Sequence, residues 1–353
     1  MMKAFRLTYI LILGTLIFQN TLIYGQEQPY QSEHKEWIFS SKVYDGIELH
    51  NQHGNVTINA HDNDTLQVKV SLIVKTKNQT LAQEVFDQIN ISSTETEGKV
   101  YFRTSFADNF YSNFPFEINY EIFIPSGQQQ VIVNNQFGDI TLNAPVPTFE
   151  PTLRYGRLVQ NKLATIDTIN GDLAFSNAQL IDAASCNLKL DNANVNIQRV
   201  DNGLFSGQFF QLNINKINRA DIKGNTSRLN ISESGQITIK SNFCFATIGK
   251  IQEKGQIEIS NGFLIIENVS HQLKELSIAN NGTPITLTLP ESLSYTIQGE
   301  ITNGDFFHFA QQALRIISDQ EKTFFSGTFN ENGQPASIVV FNKNAGINIK
   351  ELK

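Results

Sequence analysis

The sequence predicts an all-β fold: a single-stranded parallel β-helix, or β-solenoid, with a small strand-helix-strand insertion near the N-terminus and a C-terminal β-hairpin cap. Three observations point there. First, a polar turn ending in glycine and followed by an alternating strand recurs along the chain; Asn135-Gln136-Phe137-Gly138-Asp139-Ile140-Thr141-Leu142 is the clearest copy. Residues two and four places after the glycine fall on one strand face, because successive side chains alternate. Second, further strands alternate without the glycine, as in Cys186-Asn187-Leu188-Lys189-Leu190. Third, Gly138, Gly156 and Gly171 lie 18 and 15 residues apart. A propeller blade needs roughly 40 residues and four strands, about twice this period, whereas one turn of a β-helix fits.

The elements follow in order. Residues 1–25 read as a signal peptide, with Lys3 and Arg6 before an apolar run over 7–18 that is short for a spanning helix. Cleavage after Gly25 is expected, the alternative being an uncleaved N-terminal anchor, and no nearby cysteine could carry a lipid. Residues 26–42 read as a flexible leader. Residues 43–125 read as a capping β subdomain that begins the solenoid, with one short helix over 79–89 whose stripe is Leu81, Val85 and Ile89. Residues 126–350 hold the solenoid repeats. There Ile140, Leu142, Leu173, Phe175, Leu229, Ile231, Ile237, Ile239, Ile257 and Ile259 form the expected apolar column. Glycine is expected to supply the positive φ of each corner. A piece over 309–316 reads as a short helix, and strands over 323–329 and 336–341 read as the hairpin cap.

Composition narrows the partners. The chain carries a net charge of −7, and removing Lys3 and Arg6 takes it to about −9. With only 17% charged residues and no basic cluster, nucleic acid and anionic lipid are poor partners. Abundant Asn suits amide ladders stacked turn on turn.

Chemistry is thinly supported. Cys186 and Cys244 lie 58 residues apart, or roughly three turns, which places their Cα atoms about 14 Å apart, beyond the reach of a disulfide; two buried free thiols are expected. His50, His53 and His61 lie near Asp62 and Asp64, but the paired spacing of a zinc site is missing, so these read as surface histidines, as does His308 near Asp305. Asp172, Asp182, Asp191, Asp201 and Asp221 could be a glycosidase's carboxylates, but they follow the corners and read as turn residues. Neither catalytic residues nor a cofactor nor a metal site is assigned. Sequons such as Asn225-Thr226-Ser227, and the Asp-Thr-Leu and Asp-Thr-Ile triplets at 64–66 and 167–169, are weak glycosylation signals. The expected contact surface is a polar face carrying Thr141, Asn187, Asn196, Asn213, Asn230 and Thr238.

The turn-glycine units from Gly54 through Gly138 to Gly346, with the strands over 66–74 and 116–125 between them, resemble the DUF4097-type, adhesin-like family of exported bacterial proteins, as found in Bacteroidetes. The resemblance covers about 43–350 and implies a β-solenoid without catalytic residues to carry over. The expected function is therefore an exported, non-enzymatic, adhesin-like module at the periplasm, outer-membrane surface or cell exterior. It would bind a glycan, a cell-surface protein or its own copies, with no integral membrane span after signal cleavage. A polysaccharide-active β-helix lyase or hydrolase is one alternative, and a passive envelope scaffold or sensor partner is another.

Overall fold

Alternation of apolar and polar residues runs through almost every strand of the structure, a computed structural model that describes residues 30–40, 45–96, 98–125, 127–330 and 334–352. The signal peptide expected over 1–25 lies outside these residues. The N-terminal region comprises β1 (Gln31–Ser40), β2 (Gly46–Gln52), β3 (Val56–His61), β4 (Thr65–Val74), helix α1 (Gln79–Phe86), β5 (Ile89–Thr96), β6 (Lys99–Phe106) and β7 (Phe116–Pro125). The middle comprises β8 (Gln130–Gln136), β9 (Ile140–Leu142), β10 (Val146–Arg154), β11 (Arg157–Gln160), β12 (Ile166–Ala174), β13 (Asn177–Asp191) and β14 (Asn194–Ser260), the last a continuous extended run that winds through several turns. The C-terminal region comprises β15 (Phe263–Ile266), β16 (Glu275–Asn281), β17 (Ile285–Pro290), β18 (Tyr295–Thr302), β19 (Phe306–His308), a single 3-10 turn (Gln311–Ala313), β20 (Arg315–Asp319), β21 (Lys322–Phe329), β22 (Ala336–Lys343) and β23 (Ile347–Leu352).

These strands wind into one parallel solenoid. Val56 pairs with Ile140, Ile140 with Leu158, Leu158 with Ala178, and Ala178 with Val195. Each of these side chains is buried. Through the middle the period is 17 residues, visible in contacts such as Asn213 to Asn196, Asn218 to Asp201 and Ser241 to Gly224. The apolar column is buried as expected with one exception. Phe175 is 49% exposed, because it sits on a corner in left-handed backbone (φ 51°) and not on the inner face of the strand before it.

Glycine does a different job from the one expected. The positive φ falls on the residue before it, at His53, Phe137, Tyr155 and Asn261, with φ between 58° and 60°. The glycine is needed for space. A Cβ on Gly138 would lie 1.9 Å from the Gly54 carbonyl oxygen, and one on Gly156 would lie 2.0 Å from that of Gly138. Buried amides cap the same corner. Asn51 donates to the Ile118 carbonyl at 3.0 Å and to the Asn135 side chain at 3.1 Å, while Asn135 donates to the Gly54 carbonyl at 2.9 Å.

Both ends are closed by an excursion of the chain. At the N-terminal end, β2 and β3 form an inner turn between β8–β9 on one side and β6–β7 on the other. Antiparallel β5 covers β6, and antiparallel β4 covers β7. β1 then pairs along the whole of β4, so Gln31–Ser40 is a strand and not part of a flexible leader. Its Trp37 and Phe39 pack edge-on against Phe102 at 5.3 and 5.9 Å. Helix α1 is capped by Asn78, whose side chain accepts from Thr80 N–H at 2.9 Å. It buries Ala82, Val85 and Phe86; Leu81 stays half-buried, and Ile89 already belongs to β5.

At the other end the last segment is inserted. β22 pairs with β16 on one side and with β18 on the other, and β23 lies between β17 and β19. The terminal hairpin is β20–β21, antiparallel and packed on β18. The strand over 323–329 therefore keeps its place in the cap, but its hairpin partner is β20 and not 336–341. Most of the predicted helix over 309–316 is the single 3-10 turn and the start of β20. No helix among the described residues is long and apolar enough to cross a membrane.

Candidate binding faces of the solenoid

The 17-residue period sets identical positions above one another, so a residue type repeated in the sequence becomes a ladder on the surface. Asn213 Nδ2 donates to Asn196 Oδ1 at 2.8 Å, and Asn230 Nδ2 donates to Asn213 Oδ1 at 2.7 Å. Thr141 belongs to the same outward column, through Val159, Gln179 and Asn196. A cleft of about 580 Å³ runs beside this ladder, with Lys162, Gln179 and Gln198 on its walls. Asn187 and Thr238 lie elsewhere. Asn187 pairs with Asn170 and Leu204 on the strand that enters the corner at Asn192, and Thr238 is on the equivalent strand three 17-residue periods further on. The six expected contact residues thus divide between two faces separated by a corner. Thr141, Asn196, Asn213 and Asn230 stand together.

That corner carries a surface the sequence reading missed. Its left-handed position is held in successive turns by His53, Phe137, Tyr155, Phe175, Asn192, Phe209, Thr226, Phe243 and Asn261, all with φ between 50° and 60°. The first four rings stack at 5.1, 5.1 and 5.0 Å with interplanar angles of 15°, 7° and 10°. Phe137, Tyr155, Phe175, Phe209 and Phe243 are each about half exposed. A bulky residue at positive φ is an outlier; a ring one place before Gly54, Gly138 and Gly156 was the available signal for the first turns, and Phe175, Phe209 and Phe243 precede no glycine.

The charged and titratable candidates do not converge. Asp172 faces Lys189 at 3.4 Å, and Asp182 faces Arg199 at 3.3 Å. Asp191 accepts from Gln208 at 3.3 Å, Asp201 accepts from Asn218 at 3.0 Å, and Asp221 lies 3.5 Å from Lys223. Nearly all of these contacts bridge adjacent turns along the surface. Among the described residues no group of His, Cys, Asp and Glu is arranged to hold a metal. His50 bonds Glu48 at 2.7 Å, His53 stacks on Phe137, and His61 contacts the Thr65 carbonyl at 2.5 Å. A second cleft, about 450 Å³, opens beside His50, Arg103, Asn134 and Arg154. Cys186 and Cys244 are buried and free, and burial raises both thiol pKa values.

His308 departs from its surface reading. It is 1% exposed inside the C-terminal cap, between Phe309 and Phe329 at 4.6 and 5.0 Å. The Ala310 N–H donates to Nδ1 at 3.0 Å, so the neutral ring carries its proton on Nε2 and presents it to Tyr295 Oη at 3.1 Å. Burial lowers its pKa to about 4.

Residues 44–334 match the family model described as Toastrack DUF4097. No curated protein matches the chain. Among solved structures, a candidate adhesin of Parabacteroides merdae is 10% identical with a TM-score of 0.37, covering 92% of this chain and 97% of that one. A candidate lipid-binding protein of Parabacteroides distasonis is 11% identical with a TM-score of 0.32, covering 92% and 97%. A candidate adhesin of Bacteroides fragilis is 9% identical with a TM-score of 0.28, covering 91% and 97%.

Proposed function

The chain belongs to the Toastrack DUF4097 family, and from that premise we propose that it is an exported, non-enzymatic, adhesin-like binding module of the cell envelope that holds an extended glycan along its amide face. The observation that carries this reading is the Asn196–Asn213–Asn230 ladder beside an open cleft. A carboxamide carries two N–H donors and an oxygen with two lone pairs, and the ladder bonds take one of each at Asn213, so the face still offers N–H groups and carbonyl oxygen to a ligand. The offer repeats every turn, about 4.8 Å along the axis, which suits the repeated hydroxyls of an extended polysaccharide. Export is supported by the apolar run over 7–18 behind Lys3 and Arg6. Binding without turnover is supported by the carboxylates, each of which is engaged by a neighbouring cation or amide in place of an opposed acid–base pair.

The test is to titrate the purified protein with soluble envelope and plant polysaccharides. Binding without chain cleavage is expected, weakened about tenfold, or roughly 1.4 kcal/mol, by the double change Asn213→Ala and Asn230→Ala. Depolymerisation that disappears when one of the outward Asp residues becomes Asn would overturn the reading. N-terminal sequencing of the native protein should find a mature start near Gln26.

A further inference from the structure

The corner column is a second surface, independent of the amide face and of the glycan reading. From His53 to Phe175 a ring occupies every turn. Beyond Phe175 the column alternates small polar residue and ring: Asn192, Phe209, Thr226, Phe243, Asn261. Turns are about 4.8 Å apart, so rings separated by one small residue are about 9.6 Å apart. That gap is close to twice the 5.1 Å stacking distance of Phe137 on Tyr155, which is room for one more ring. An open cleft of about 720 Å³ runs along these positions, with Phe175, Asn192, Phe209, Thr226 and Phe243 in its lining.

The choice of residue needs an explanation. Left-handed backbone is costly for an ordinary residue, and Asn accepts it more readily than Phe. Phe137, Tyr155 and Phe175 offset this by stacking within the chain. Among the described residues, neither Phe209 nor Phe243 stacks on another ring, and they are 53% and 52% exposed. A row of half-exposed rings with ring-sized slots between them marks an interaction surface.

We propose that a second copy of this chain covers the corner, running antiparallel, with its rings in the vacant slots. A two-fold axis crossing the corner midway between the turns of Phe209 and Thr226 brings Phe209 opposite Thr226, Phe243 opposite Asn192, and Phe175 opposite Asn261. Every ring meets a small polar residue, and no two rings compete for one slot. The contact is isologous, so it closes as a dimer. A two-fold parallel to the solenoid axis would set ring against ring. The positions next to the corner agree with the antiparallel choice: Asp191 comes opposite Asn242, and Gln211 opposite Arg228, so no like charges meet at either pair.

Sedimentation velocity on the purified protein, from low to high micromolar, tests this. The wild type should form a dimer as concentration rises. Phe209→Asn with Phe243→Asn should abolish the dimer while leaving the circular dichroism of the fold intact, since Asn accepts the left-handed corner. Asn192→Phe with Thr226→Phe should abolish it as well, because the slots are then filled from within. A merely sticky apolar stripe behaves oppositely, associating more strongly when rings are added, and that result would overturn the proposal. So would a wild type that stays monomeric throughout the range. An oxidised equimolar mixture of Gln211→Cys protein and Arg228→Cys protein should give a covalent heterodimer that neither variant gives alone, the two positions being kept on separate chains because they stack on adjacent turns of one chain; a non-covalent dimer that fails to cross-link in the mixture would overturn the antiparallel register.

Discussion

Corner residues divide one task between two neighbours. Phe137 takes the left-handed φ, and Gly138 provides the space that lets the next turn approach. The two positions should therefore respond differently to substitution. Gly138→Ala places a methyl 1.9 Å from the Gly54 carbonyl oxygen, so it should destabilise, and by more than the ~1 kcal/mol that a strain-free Gly→Ala change adds to stability. Phe209→Asn loses no stacked ring and relieves the left-handed cost, so the monomer should gain about 1 kcal/mol. Thermal denaturation of dilute protein measures both. Gln160 shows the same local accounting. Its inward position breaks the apolar face in sequence, yet its amide satisfies the Ala164 and Asp182 carbonyls and the Ile181 and Asp182 N–H groups.

At the scale of elements, the C-terminal cap contains the clearest pH dependence. His308 in β19 is packed among Tyr295, Phe309 and Phe329, with Glu351 the charged group that bears on Tyr295. Its folded pKa, about 4, lies below the ordinary 6.5 because burial disfavours the cation. The unfolded chain therefore binds the proton more readily. The contribution of His308 is fully present above pH 6.5 and is lost as pH falls from 6.5 towards 4, at about 1.4 kcal/mol for each unit of separation. Melting at pH 7.5 and pH 5 should show this loss in the wild type. His308→Gln should melt lower at pH 7.5 and lose most of the difference between the two. At the opposite end, Tyr120 is held neutral by burial, its pKa pushed up to about 12, and bonds Thr104 at 2.8 Å. That cap should not titrate through Tyr120 in the same range.

The whole molecule is a stack in which each turn touches only its neighbours, so damage should stay local. The exception is the inserted turn. β22 and β23 separate β16–β17 from β18–β19, and removing residues 336–353 would leave β18 without its parallel neighbour. Hydrogen exchange on that truncated protein should show fast exchange over 295–329 and unchanged protection over 130–250. The stack also sets thiol chemistry. Cys186 and Cys244 lie in different turns, buried and unpaired, so alkylation should be slow in the native protein and should modify both thiols once it is unfolded without reductant.

The alternation of apolar and polar residues, the recurring corner glycines and the near-constant period determined the solenoid, its inner column and the separation of the two thiols. These were legible because each depends on residues close together in sequence or on a count of turns. Four of the six residues expected on the contact face, Thr141, Asn196, Asn213 and Asn230, stand together for the same reason, since a near-constant period stacks them. Tertiary structure alone decided the remainder. Which residue of a corner dipeptide takes the left-handed backbone depends on where the carbonyl of the next turn lies. Whether Gln31–Ser40 forms a strand depends on the open edge of β4. The order of the last turns and the partner of the cap hairpin depend on which turn stacks on which. That is a contact between distant segments, and no local pattern of residues encodes it.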